Sequence, residues 1–130
     1  MSNYLTYGWV FVVQHTGGDI RFRKFKLLNK WKPIVGFFKP PLSVWWEWVR
    51  DLVSGGKEKD IHPWQQAIGE ARHFIHALSP KGGLVCDPFA GSGTTCLAAK
   101  ELERQWVAFE KDQDTVRKAR ERLRIAAVRG

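Results

Sequence analysis

At 130 residues the chain is one domain at most, with room for a real core but short for a complete α/β enzyme. A formal net charge of +8 and a pI near 9.8 favour a polyanionic partner such as DNA, although charge alone speaks only for non-specific attraction. The first seven residues lack a charged start followed by an apolar stretch, and apolar runs stay far below the ~20 residues that span a bilayer, so no secretory signal, no membrane span and a cytoplasmic location are expected.

Residues 7–13 (YGWVFVV) are aromatic and β-branched, the composition of a buried strand, and Gly17-Gly18-Asp19 then breaks the run. From 20 to 32 (IRFRKFKLLNKWK) apolar and basic residues alternate, which fits either a DNA-binding surface or an edge strand protected by positive charge. Residues 33–39 (PIVGFFK) form a second strand closed by Pro40-Pro41. Residues 45–53 (WWEWVRDLV) are apolar at Trp45, Trp48, Val49 and Leu52, a helical spacing, with the tryptophans available for packing or for base stacking. Residues 54–60 (SGGKEKD) read as a loop. His62-Pro63 opens the next helix, whose apolar face runs through Trp64, Ala67, Ile68, Ala71, Phe74, Ile75 and Leu78. Residues 79–83 (SPKGG) stop that helix. After Glu110, Val116, Ala119, Leu123 and Ala126 make one stripe of a closing helix over 112–128, and its arginines form a solvated face or meet DNA directly. His62, His73 and His76 lack a companion acid or cysteine at ligand spacing, and Cys86 and Cys96 show neither metal nor disulfide spacing, so no metal is expected and both thiols are expected in the core of a reduced protein.

The chain is organised around residues 84–95 (LVCDPFAGSGTT): an apolar run ending at Asp87, a glycine-rich turn over 90–93, and a helix from Thr94. Such a loop beyond a strand's carboxyl end leaves backbone N–H groups pointing outward, and Gly91 and Gly93 allow positive φ and close approach of a ligand. A phosphate cradle would need a lysine after Gly93, where Thr94 and Thr95 stand, and Cys96 occupies the place of a dinucleotide fingerprint's third glycine. Downstream, residues 105–110 (QWVAFE) make a second strand ending in an acid near the ~20-residue interval at which a ribose-binding carboxylate is expected. The two strands should be parallel, the first of them buried, and joined by a right-handed crossover. A ligand with a ribose for Glu110, a carboxylate for the helix N-terminus and no phosphate fits S-adenosylmethionine.

The run Asp87-Pro88-Phe89-Ala90-Gly91-Ser92-Gly93-Thr94-Thr95 resembles the cofactor motif of the DNA amino-methyltransferases, which methylate adenine N6 or cytosine N4. Lys59-Asp60-Ile61-His62-Pro63-Trp64-Gln65-Gln66 is similar to the element that, in permuted members, precedes this motif and lines the methionine end of the cofactor, although Gln66 and Ala67 depart from its commonest form. The resemblance implies a cofactor site made of Lys59, Asp60, His62, Pro63, residues Asp87, Pro88, Phe89, Ala90, Gly91, Ser92, Gly93 and Thr94, and Glu110, with double-stranded DNA as partner of the complete enzyme. It also implies an Asp/Asn/Ser-Pro-Pro-aromatic segment, whose acceptors hold the target amine and whose ring stacks on the flipped base. The sequence has none, since Lys39-Pro40-Pro41-Leu42 offers a cation and an aliphatic at the decisive places and reads as a turn.

The expected fold is therefore α/β: a partial adenosylmethionine-dependent methyltransferase, Rossmann-like and three-layered with a mainly parallel sheet, lacking the central strands. Residues 1–56 would give strands from one side of the sheet with their connecting helix, and 57–130 the cofactor-binding part. No catalytic residue is assigned. Two functions follow: the cofactor-binding C-terminal fragment or subunit of a DNA methyltransferase, completed by a catalytic N-terminal chain, or a remnant that binds adenosylmethionine or DNA without chemistry.

Overall fold

The computed structural model describes residues 4–16, 20–41, 48–55 and 67–128. Five strands come first: β1 (Thr6–His15), β2 (Ile20–Phe22), β3 (Leu27–Asn29), β4 (Trp31–Phe38) and β5 (Leu52–Gly55), with one 3₁₀ turn, Arg23–Phe25, between β2 and β3. Then follow α1 (Ile68–Leu78), β6 (Leu84–Asp87), α2 (Thr94–Glu101), β7 (Gln105–Ala108) and α3 (Gln113–Val128). Among the described residues these strands form three separate sheets, ordered β4-β1-β5, β2-β3 and β6-β7.

β1 alternates as a strand with one covered face should. Phe11 and Val13 are buried while Val10 and Gln14, which point the other way, are exposed. β4 pairs with it antiparallel, Val12 opposite Pro33, and β4 is a sheet edge, where a proline forfeits no ladder bond. On the covered face lies α1, with the Phe74 ring edge-on to Phe11 at 5.3 Å. An ion pair reinforces the contact: Lys32 Nζ stands 2.6 Å from an oxygen of Glu70, which is only 6% exposed. A Cβ on Gly55 would collide with Glu70 Oε1, so β5 reaches this pair only because residue 55 has no side chain.

The other side of α1 meets the second half of the chain. Ile75 packs with Ala98 and Ala99 of α2, and Val85 and Leu102 close around them. The Arg104 guanidinium donates to the carbonyls of Ser79 at 2.8 Å and His76 at 3.4 Å, fixing the end of α1 against the start of β7. α1 thus touches both the β4-β1-β5 sheet and the α2 layer over β6 and β7.

Several expectations are corrected. Leu52–Gly55 is a strand parallel to β1, where residues 45–53 had a helical pattern; residues 42–47 lie outside the described ones. The free N–H and C=O groups on the second edge of β1 need partners, and pairing with β5 supplies them, beginning with Val12 N–H on the Asp51 carbonyl. The alternating run from Ile20 is split by the 3₁₀ turn and by Lys26 in the left-handed region (φ 48°), giving a hairpin rather than one strand. Among the described residues the stretch before α1 therefore holds five strands rather than two. α1 begins at Ile68, and the proposed His62-Pro63 start lies outside the described residues.

β6 and β7 are parallel and joined through α2, as expected. The expectation that β6 is buried is not met. Val85 turns toward the α1–α2 core, but Leu84 is 66% exposed and Cys86 is also exposed, so that thiol is no core residue. The reason is geometric: alternate residues of a strand face opposite ways, and among the described residues nothing covers that face. No described helix is long and apolar enough to cross a membrane.

Candidate cofactor site

The turn after β6 is built almost entirely by backbone bonds. Phe109 N–H donates to the Asp87 carbonyl and Ala90 N–H to the Phe109 carbonyl, both at 2.9 Å, which carries the β6–β7 pairing past the strand ends. The Asp87 carboxylate takes the Phe89 N–H at 3.0 Å, and Gly93 N–H closes on the Ala90 carbonyl at 2.8 Å. Gly91 (φ +50°) and Gly93 (φ +76°) are both left-handed, a conformation that hinders other residues. A Cβ at Gly91 would meet nothing, so conformation alone demands glycine there; at Gly93 it would also press on Ala119 at 3.3 Å. α2 starts directly after Gly93, and by helix geometry its first-turn amides have no intrahelical partner. These amides and the helix dipole favour a negative group.

Glu110 is placed by this turn and also holds it. Its Oε2 accepts the Gly91 N–H and its Oε1 the Asp112 N–H, each at 3.0 Å. The Asp112 amide first, and the Gly91 amide second, hold the carboxyl below its ordinary value. An ionised carboxylate offers about four lone-pair sites, so these amides leave acceptor capacity for a ligand hydroxyl. Asp112 in turn caps α3 by accepting the Thr115 N–H at 2.7 Å.

α3 supplies a contact that the arginine pattern hid. Arg122, expected on a solvated face, is half-buried and donates to Thr94 Oγ1 at 3.0 Å and to the Ser92 carbonyl at 3.3 Å, tying the start of α2 to the closing helix. Ser92 and Thr94 are themselves buried. Its one sequence signal was a position adjoining the apolar Leu123. Cys96 is buried behind the turn, and burial, then the nearby Asp87 charge, pushes its thiol up to about 11, leaving it protonated and inert.

Beside the turn lies a cleft of about 720 Å³ lined by Pro88, Phe89, Phe109, Glu110, Lys111, Gln113 and Arg120. A smaller cavity of about 230 Å³ between the turn and α3 is lined by Ala90, Gly91, Gly93, Cys96, Trp106 and Ala119, among others. The larger volume is in the range of nucleoside-sized ligands, and the exposed Phe89 ring offers an apolar wall. Of the expected site residues, Asp87 through Thr94 and Glu110 are brought together. Lys59, Asp60, His62 and Pro63 lie outside the described residues. Lys111, Gln113 and Arg120 were not anticipated, because nothing in the sequence distinguishes them from other polar residues of a loop and helix. No group of three His, Cys, Asp or Glu side chains able to hold a metal occurs among the described residues.

A family model described as DNA methylase, of the N6/N4 type, matches residues 23–121, about three quarters of the chain. The chain belongs to the N6/N4 DNA methylase family. It is 39% identical over 69 residues to the type II methyltransferase M.HindIII of Haemophilus influenzae, covering 53% of this chain and 22% of that protein. It is 38% identical over 80 residues to M.ScaI of Streptomyces caespitosus, covering 58% and 26%. The chain thus spans about a quarter of the length of these curated relatives. Among solved structures, M1.HpyAVI in complex with S-adenosylmethionine superposes with a TM-score of 0.75 at 24% identity, covering 92% of this chain and 63% of that one. The cytosine-N4-specific PvuII DNA methyltransferase superposes with a TM-score of 0.72 at 18% identity, covering 92% and 55%. At these identities the structural likeness shows the fold alone: a partial α/β domain of the DNA methyltransferase kind.

Proposed function

We propose that this DNA methylase family chain is the cofactor-binding part of an adenine-N6 or cytosine-N4 DNA methyltransferase, with S-adenosylmethionine over Phe89–Gly93. The observation that carries the reading is the turn after β6, preset by Gly91, Gly93 and the Glu110 carboxylate, opening on a nucleoside-sized cleft. The donor set fits that cofactor: amides at the start of α2 for its carboxylate, the spare lone pairs of Glu110 for its ribose, and the Phe89 ring and Lys111 beside them. When bound, the cofactor supplies an electrophilic methyl group. Lys59, Asp60, His62 and Pro63 would line its methionine end.

The acceptor for the target amine and the wall for the flipped base come, on this reading, from a catalytic N-terminal chain or segment. Residues 1–56 and 57–130 would then be two parts of one partial domain, with strands of the partner between the β4-β1-β5 sheet and β6. The edge of β6 away from β7, unpaired among the described residues, supports this, and the uncovered Leu84 and Cys86 leave a face for a further layer. Calorimetry of the full chain with S-adenosylmethionine tests the cofactor reading. Wild type should bind, and Glu110→Ala should bind roughly tenfold to a hundredfold more weakly through lost charged hydrogen bonds. Absence of wild-type binding overturns it, and equal affinities remove Glu110 from the site. Labelled methyl transfer to mixed-sequence DNA should require an added catalytic N-terminal chain; incorporation by the chain alone would show that the acceptor is already here, and none in either case would favour a non-catalytic remnant.

A further inference from the structure

The run from Ile20 to Lys32 contains six basic residues and no acid, and the structure divides it in two. Lys32 turns inward to Glu70. Arg21, Arg23, Lys24 and Lys26 do the opposite: every residue from Arg21 to Leu28 is exposed, and none of these four cations makes an ion pair with a described residue. Interleaved with them are four large apolar side chains, Phe22, Phe25, Leu27 and Leu28, with Phe25 72% exposed.

Among the described residues the strands of this hairpin pair only with each other. β2 and β3 contribute three residues each and form a sheet apart from the other two. A lone two-stranded hairpin is marginal in water, and four exposed hydrophobic side chains make it a liability unless something covers them. The covering partner has to satisfy dense positive charge and flat apolar groups together. Lys24 already stands 5.7 Å above the Phe25 ring, so cation and aromatic face the same side of the turn. Lys26 occupies the left-handed position of that turn, where glycine or asparagine is the easier choice. A protein partner would have to bring acids to every cation. A nucleic acid brings phosphates at regular spacing and π-faces between them.

We infer that the Ile20–Asn29 hairpin is a DNA-contacting element, Arg21, Arg23, Lys24 and Lys26 on phosphates and Phe22 and Phe25 against base or sugar faces. This deepens the reading above by naming the element that takes DNA, and it stands whether or not the turn after β6 takes the cofactor. A β-ribbon of this size suits a groove of duplex DNA, with the aromatics as wedges at a base step.

The test is the salt dependence of binding to a short mixed-sequence duplex, read by fluorescence anisotropy on the full chain between about 50 and 200 mM salt. Two variants of equal net charge are compared, R21Q/R23Q/K24Q/K26Q in the hairpin and K81Q/R117Q/K118Q/R124Q elsewhere, each checked for an unchanged circular dichroism melt. Each phosphate contact contributes about 0.9 to the slope of log K against log salt, so the hairpin variant should flatten the slope by roughly two to four while the control barely changes it. F22S/F25S should weaken binding about tenfold with the slope intact. Equal flattening by the two charge variants would overturn the inference, because attraction would then be a property of net charge. So would hairpin variants that bind DNA like wild type but no longer associate with the proposed N-terminal chain, which would assign the hairpin to a protein interface.

Discussion

The turn from Asp87 to Gly93 and the hairpin from Ile20 to Asn29 are of similar length and are held in opposite ways. The turn has the Phe89, Ala90, Gly91 and Gly93 N–H groups all committed, two glycines with positive φ, and a carboxylate clamped across it. The hairpin has two short strands, no buried residue in its 3₁₀ turn and, among the described residues, no strand pairing with another sheet. A small ligand fixed by a few amides needs those amides preset to fractions of an ångström, since ordering them on binding would cost affinity. A polyanion met by long cations needs no such precision, because arginine and lysine reach for phosphates with flexible stems. Rigidity here is graded by the ligand each segment is proposed to take.

The comparison breaks most sharply at Lys32, which is continuous in sequence with the hairpin's cations but is half-buried and paired with the buried Glu70. Lys32→Met leaves Glu70 buried without its partner and should cost about 3 kcal/mol in urea denaturation. The double variant Lys32→Met/Glu70→Leu should regain most of it. Next, Gly93→Val forces a branched side chain into a left-handed conformation against Ala119 and should cost roughly 2 kcal/mol or more, with the loss seen as a lowered thermal midpoint. Arg122→Met removes two bonds that tie the turn to α3, an effect of about 1 kcal/mol by the same measurement. The hairpin variants F22S and F25S should shift stability by less than about 0.5 kcal/mol, because both side chains are exposed. A large loss there would mean that the hairpin is packed after all.

The turn should also differ from the hairpin in its response to acid. Glu110 is held below its ordinary value of 4.5 by the Asp112 and Gly91 amides, so its ionised form favours the folded turn. That contribution is complete above the ordinary value and fades as pH falls through the lower, folded one. The Gly91 amide resonance should therefore titrate below pH 4.5 in wild type and stay flat in Glu110→Gln, while hairpin amides show no such transition.

The β6–α2–β7 unit was legible because each of its boundaries carries a chemical mark: Asp87 at the strand end, glycines at the positive-φ positions, an acid after the second strand. β5 was not, since Trp45, Trp48, Val49 and Leu52 happen to fall at helical spacing, and only the open edge of β1 tells that 52–55 is a strand. The break in the hairpin was hidden because Lys26, not glycine or asparagine, makes the turn. Arg122 was hidden because a half-buried arginine and a solvated one look alike in a helical pattern. The exposure of Leu84 and Cys86 depends on what lies beside β6, which a strand's own residues do not encode.

That exposure makes the two thiols a matched pair of chemical probes. Cys96 is buried and protonated, while Cys86, ten residues earlier, stands in solvent on a face that nothing described here covers. An alkylating reagent should therefore modify one site and spare the other. The rate at Cys86 becomes a clock for occupancy of that strand: fast in the isolated chain, slowed when a second polypeptide lies along it, and readable in a mixture by intact mass without any assay of methylation.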